Sequence, residues 1–162
     1  MDTTEGLSLS AHTNRGRPRI QDGRDFDDLS LEEQIERWDR VRKVLRRMSD
    51  HAIERHFDMC NWIRVTPCGT IGCAAGQCAL DPWFQRRGFG VNIDRGGWRW
   101  SGLGPREFFG SDGYDKVFTN DDIMTQFRRG KNHDRLPRKP RAQHVLALRA
   151  ANQYLKSLKA RR

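Results

Sequence analysis

Three of the chain's four cysteines fall in TPCGTIGCAAGQCALDPW, residues 66–83, and the fourth is Cys60. Thiolates this dense could ligate zinc, attack an electrophile or exchange disulfides. Structural zinc needs four ligands converging as a tetrahedron, commonly from CxxC pairs. Here Cys68, Cys73 and Cys78 are spaced by five. Five helical steps rotate by about 140°, so Cys73 and Cys78 would face apart on one continuous helix. Cys60, His51 and His56 could add ligands, but no spacing demands it. A cysteine nucleophile is the second reading: Cys73 near a helix start would have a lowered pKa, with His51, His56, His133 or His144 as base. Packing is the third. Gly72 and Gly76 are four apart, Ala75 and Ala79 extend the smooth face, and a free cysteine behaves as a small buried hydrophobe. Helical glycine costs up to ~1 kcal/mol, so two of them imply a compensating close contact. Packing accounts for every residue type in the stretch, and it assigns no catalytic residue, metal or cofactor. Zinc or cysteine chemistry at Cys68 and Cys73 stays as an alternative.

FDMCNW, CGTIGCAAG, GLGPREFFG and VFTND follow one another over about residues 57–121. In that order they resemble a family of small, uncharacterised phage and prophage proteins with a CGT-x-x-C-x-x-G motif. The motif falls here on Cys68, Gly69, Thr70, Cys73 and Gly76; Cys60 and Cys78 lie outside it. The resemblance implies a mobile-element accessory role and no particular reaction.

Charge points elsewhere. The chain carries 30 Lys and Arg against 21 Asp and Glu, a net +9. Residues 128–162 hold 12 basic and one acidic residue, which exceeds the surplus of the whole chain. A localised surplus creates a directed field whose natural partners are polyanions. Arg128, Arg129, Lys131, Arg135, Arg138, Lys139 and Arg141 fall in a segment broken by Gly and Pro; Lys156, Lys159, Arg161 and Arg162 close the chain. Such cations bind phosphates by counterion release, without reading sequence. Near the start, NRGRPRIQ places Arg15, Arg17 and Arg19 around Gly16 and Pro18. This resembles the core of an AT-hook, in which arginines enter the narrow minor groove of A·T-rich DNA. The alternative for both segments is a solvated, solubilising surface.

The elements that must position these groups are legible in part. Residues 1–28 lack apolar periodicity and read as a flexible tail. Ser30 and Glu33 form a capping box for a helix with a stripe of Leu31, Ile35, Trp38, Val41, Leu45 and Met48. SDHAIERHF continues that helix after a kink or starts another. Pro67 ends an extended segment, and Thr70 is expected to cap a helix over residues 71–80. GFGVNIDRGGWRWSG reads as a hairpin with Phe89, Val91 and Ile93 alternating on one arm and Trp98 and Trp100 on the other. Those tryptophans either cover the core or are partner contacts, stacking bases or anchoring a protein. Pro105 starts a short helix over residues 106–109. The last helix, residues 142–159, carries a stripe of Val145, Leu148, Ala151, Leu155 and Leu158.

Together these predict an α+β fold: several helices and one small antiparallel hairpin around a single core at residues 29–127. A basic loop at 128–141 and a C-terminal helix at 142–162, packed on the core with a basic end, complete it. No apolar run reaches the ~20 residues of a membrane span, and the first residues, without a basic start or a long apolar run, do not read as a secretory signal. Cytoplasmic residence is expected, in a bacterial host if the phage resemblance holds. The expectation is a non-enzymatic, nucleic-acid-associated accessory protein whose partner is DNA. A protein-binding inhibitor or adaptor acting on a host factor, using the hairpin or the acidic stretch 112–122, is the other class.

Overall fold

The computed structural model describes residues 23–59, 63–66, 69–94, 97–119 and 139–162. The fold is α+β. Helix α1, Leu31–Arg47, starts where Ser30 and Glu33 satisfy each other's backbone. Ser30 Oγ accepts the Glu33 N–H at 3.3 Å, and the Glu33 carboxylate accepts the Ser30 N–H at 2.9 Å. A hydrogen bond from Arg24, then those with Ser30, hold the Glu33 carboxyl below its ordinary range. A Ser30→Ala variant is expected to lose about 1 kcal/mol of stability, measured by denaturant unfolding, because the Glu33 N–H at the helix start then loses its acceptor. Trp38, Val41 and Leu45 are buried, with Leu31, Ile35 and Met48 packed at the margin, so the expected stripe is the helix's inner face.

Met48 is extended, and Ser49 caps a separate short helix α2, Asp50–His56. Strand β1, Ile63–Thr66, pairs antiparallel with β2, Gly69–Gly72. Phe57 bridges to Gly72 in parallel. Helix α3, Ala74–Leu80, follows. The expected helix over residues 71–80 is therefore corrected: Thr70 and Ile71 are strand residues, and Cys73 occupies the N-cap position. Cross-strand pairing to residues 63–66 gives these residues backbone partners in extended form, which a capping side chain alone does not reveal. Gly72 is consequently not on a helical face with Gly76.

Helix α4, Pro82–Arg86, is capped by Asp81, whose Oδ1 accepts the Trp83 N–H at 2.8 Å. The predicted hairpin is β3, Phe89–Asp94, against β4, Gly97–Gly102, with Val91 opposite Trp100 and Ile93 opposite Trp98. Pro105 opens α5, Pro105–Phe109; α6, Ser111–Tyr114, runs into a wider π-type turn over Asp115–Thr119. The final helix α7, Pro140–Lys159, begins inside the segment expected as a loop.

The core is aromatic. Trp38 touches Phe109, Phe118 and Tyr154, with ring centroids 5.5, 5.5 and 4.7 Å away. Phe84, Phe89 and Phe108 continue the cluster. It reaches back to Phe26 and Leu29, both buried, so Phe26, within the stretch expected to be a tail, belongs to the core. The buried Arg37 holds that entry segment: its guanidinium donates to Phe108 O at 2.8 Å and Arg24 O at 3.0 Å and lies over the Phe108 ring. Helix α7 packs along α1. His144 is buried and its Nε2 donates to Leu45 O at 2.8 Å, while Gln143 accepts the Met59 N–H at 2.8 Å. Val145, expected in the buried stripe, is instead 47% exposed. His144 holds the inward position because it finds a carbonyl in the last turn of α1, and its ring packs edge-on to Phe57.

Candidate polyanion interface

The described cysteines are interior residues. Cys73 and Cys78 are buried and unpaired, among Ala74, Ala75, Gly76 and Ala79, all buried. Burial pushes the Cys73 thiol up to about 11; hydrogen bonding from the backbone of Gly76 and Ala75 at the start of α3 pulls the other way and loses. Burial also drives the Cys78 thiol well above its ordinary value, with Cys73 and Asp81 adding to it. Desolvation of the thiolate thus outweighs the helix start, the reverse of what a nucleophile requires. Cys60 and Cys68 lie outside the described residues, and no cluster of metal-ligating side chains occurs among the described ones.

The sign of the shift makes a prediction. An unfolded Cys73 ionises near 9, the folded one near 11. Between those values the unfolded chain binds fewer protons, so stability falls as pH rises from about 9 to 11. For Cys73 alone the expected loss is about 2–3 kcal/mol, at 1.36 kcal/mol per unit. Denaturant melts from pH 8 to 11 measure it; Cys73→Ala should flatten the alkaline limb, and an identical limb in that variant would contradict the assignment.

The remaining candidates separate cleanly. Arg15, Arg17, Arg19, Arg128, Arg129, Lys131, Arg135 and Arg138 lie outside the described residues. Gly69 and Thr70 sit on β2, Cys73 at its end and Gly76 inside α3. Trp100 is half-buried and stacks on Phe89, centroids 5.2 Å apart, so it helps cover the core. Trp98 is placed on β4 opposite Ile93, and its side chain is outside the description. Within the acidic stretch, Asp112 pairs with Lys116 at 2.7 Å and Asp115 with Arg106 at 2.7 Å, which offsets its charge. Asp121 and Asp122 are outside the described residues.

Lys139 and Arg141 are exposed at the start of α7. Arg141 forms a 3.3 Å pair with Asp50, both groups solvent-facing. From there the chain has no further acid: residues 139–162 carry seven cations and none of opposite sign. Residues 23–119, by contrast, hold 15 basic and 15 acidic residues and are neutral. All seven cations of 139–162 are exposed, because the other side of α7 is fully occupied by Ala147, Ala151, Tyr154, Leu155 and Leu158 against the core. Arg162 is paired to Glu32 at 3.5 Å; Lys139, Arg149, Lys156, Lys159 and Arg161 form no ion pair with another described residue. Arg46 and Arg47 are also exposed, in the last turn of α1, whose Leu45 carbonyl meets the buried His144 of α7.

Stability alone does not account for this placement. Lys156 and Lys159 suit the negative end of the helix dipole, but Lys139 and Arg141 stand at its positive end, where cations are disfavoured. Arg149 is the group that the charge count had not singled out. It is eight residues beyond Arg141, and two steps of four keep both on the solvent side. No protein family model, curated protein or solved structure matches this chain.

Proposed function

We propose that this is a non-enzymatic, nucleic-acid-associated accessory protein, of the phage or prophage type that its motifs resemble. The observation that supports it is the division of charge: residues 23–119, neutral and aromatic-cored, carry a helix that bears four exposed cations, with three more at its two ends and no acid. Cations held on a folded surface bind a phosphate backbone by releasing its counterions. Arg15, Arg17 and Arg19 at one end and Arg128, Arg129, Lys131, Arg135 and Arg138 before α7 would add contacts on the same polyanion. Gel-shift titration of the full chain with labelled DNA tests the reading. Retention at low salt that weakens by a thousandfold or more toward moderate salt is expected for about six phosphate contacts. No retention at low salt, or retention indifferent to salt, rejects it.

A host-protein adaptor is the second reading. Ile93 supports it, 43% exposed on the hairpin across from Trp98. A pull-down that captures one partner equally well after nuclease treatment would favour it over the first.

A further inference from the structure

We infer that α7 is a groove-reading helix, and that its ligand is duplex DNA bound through the major groove. The inference rests on the nucleic-acid reading above and deepens it. The solvent side of α7 is not cationic alone. Arg141, Val145, Arg149 and Gln153 recur every four residues and are all exposed, so they form one ridge. The ridge runs about 18 Å at 1.5 Å per residue. Beside it lie Asn152, half-buried, and Lys156, exposed.

These types match the edges that a major groove presents. An arginine fork pairs with guanine O6 and N7, a glutamine amide with adenine N6 and N7, and a small apolar side chain meets the thymine methyl. Val145 is one of two large hydrophobic side chains exposed among the described residues, and it stands between two arginines on that ridge. On a solubilising face it contributes nothing; against a thymine methyl it has a role. The groove is about 12 Å wide and admits one helix. Lys139, Lys156 and Lys159, off the ridge or at its ends, reach the flanking phosphates and fix the register.

Competing occupants fit less well. Single strands are held by exposed aromatic platforms. The one aromatic of α7, Tyr154, is buried against Trp38. A lipid surface takes the apolar side of a basic helix, and that side of α7 already faces α1 and the core. Duplex RNA has a major groove too deep and narrow for side chains to read.

The test uses the full chain with four probes at one salt concentration: a random-sequence DNA duplex pool, the single strands, a duplex RNA and heparin. Binding enriches particular duplexes from the pool, methylation of guanine N7 is blocked in them, and duplex DNA is preferred over duplex RNA. Arg149→Ala and Gln153→Ala each relax selection at one base position by at least about fivefold. Heparin affinity then changes little for Gln153→Ala, which removes no charge. Two results overturn the inference and leave the nucleic-acid reading standing: equal binding to all four probes, or selection with guanine N7 open and the minor groove protected. Absence of binding to every probe rejects both.

Discussion

Replacing Trp38 with alanine is expected to remove about 3–5 kcal/mol of stability, the range for deleting a fully buried large aromatic. The indole is wholly enclosed and donates its Nε1–H to Phe109 O at 3.3 Å. Three rings from α5, the turn after α6 and α7 close on it. Its removal opens a cavity that stiff aromatics fill poorly, and it leaves the Phe109 carbonyl without that donor. Against a typical total of 5–15 kcal/mol, that is a large share of the stability, and the unfolding midpoint should fall steeply. The same site resists growth. A Cβ at Gly113 would strike the Trp38 indole and lie 2.7 Å from the Tyr154 ring. Gly113→Ala should therefore cost about 1–3 kcal/mol by overpacking. Denaturant unfolding followed by far-ultraviolet dichroism measures both. A loss below about 1 kcal/mol for Trp38→Ala would show that these rings are not the centre of the fold.

The second large effect separates binding from folding. A variant with Lys139, Lys156, Lys159 and Arg161 all changed to glutamine should melt within about 1 kcal/mol of the parent, because losing Lys156 and Lys159 from the negative end of the α7 dipole is partly offset by losing Lys139 from its positive end. These side chains are exposed and form no ion pair with another described residue, and glutamine is an adequate helix former. Its affinity for duplex DNA should fall by about a thousandfold at ~0.15 M salt, the loss expected for four phosphate contacts. Gel shifts at matched salt, beside a thermal melt of the same preparation, check both halves.

Much of the fold was legible because its signals are local. Ser30 and Glu33 mark a helix start three residues apart, and the Trp38 stripe has a helical period. Phe89, Val91 and Ile93 alternate beside a glycine turn, and Pro105 sits where a helix begins. The misreadings have physical causes. Thr70 has a capping side chain, but its strand pairs with residues 63–66 just upstream, and strands of four residues are too short to show an alternating pattern. Val145 fits a stripe drawn by hydrophobicity, yet His144 and Gln143 point inward because Leu45 O and the Met59 N–H await them. Polar residues are buried where partners exist, and partners are set by tertiary structure. For the candidate interface, the sequence showed how much charge there is and roughly where. Only the packing of α7 on α1 shows which residues share the solvent side, and so groups Arg149, Gln153 and Val145.

The most direct measurement is the slope of log affinity for duplex DNA against log salt, for the parent and the four-glutamine variant. Each phosphate contact contributes about 0.9 to that slope. If the C-terminal helix carries the binding surface, the variant's slope is shallower by about 3–4. Superimposable slopes with equal affinities would place the contacts elsewhere and contradict the account.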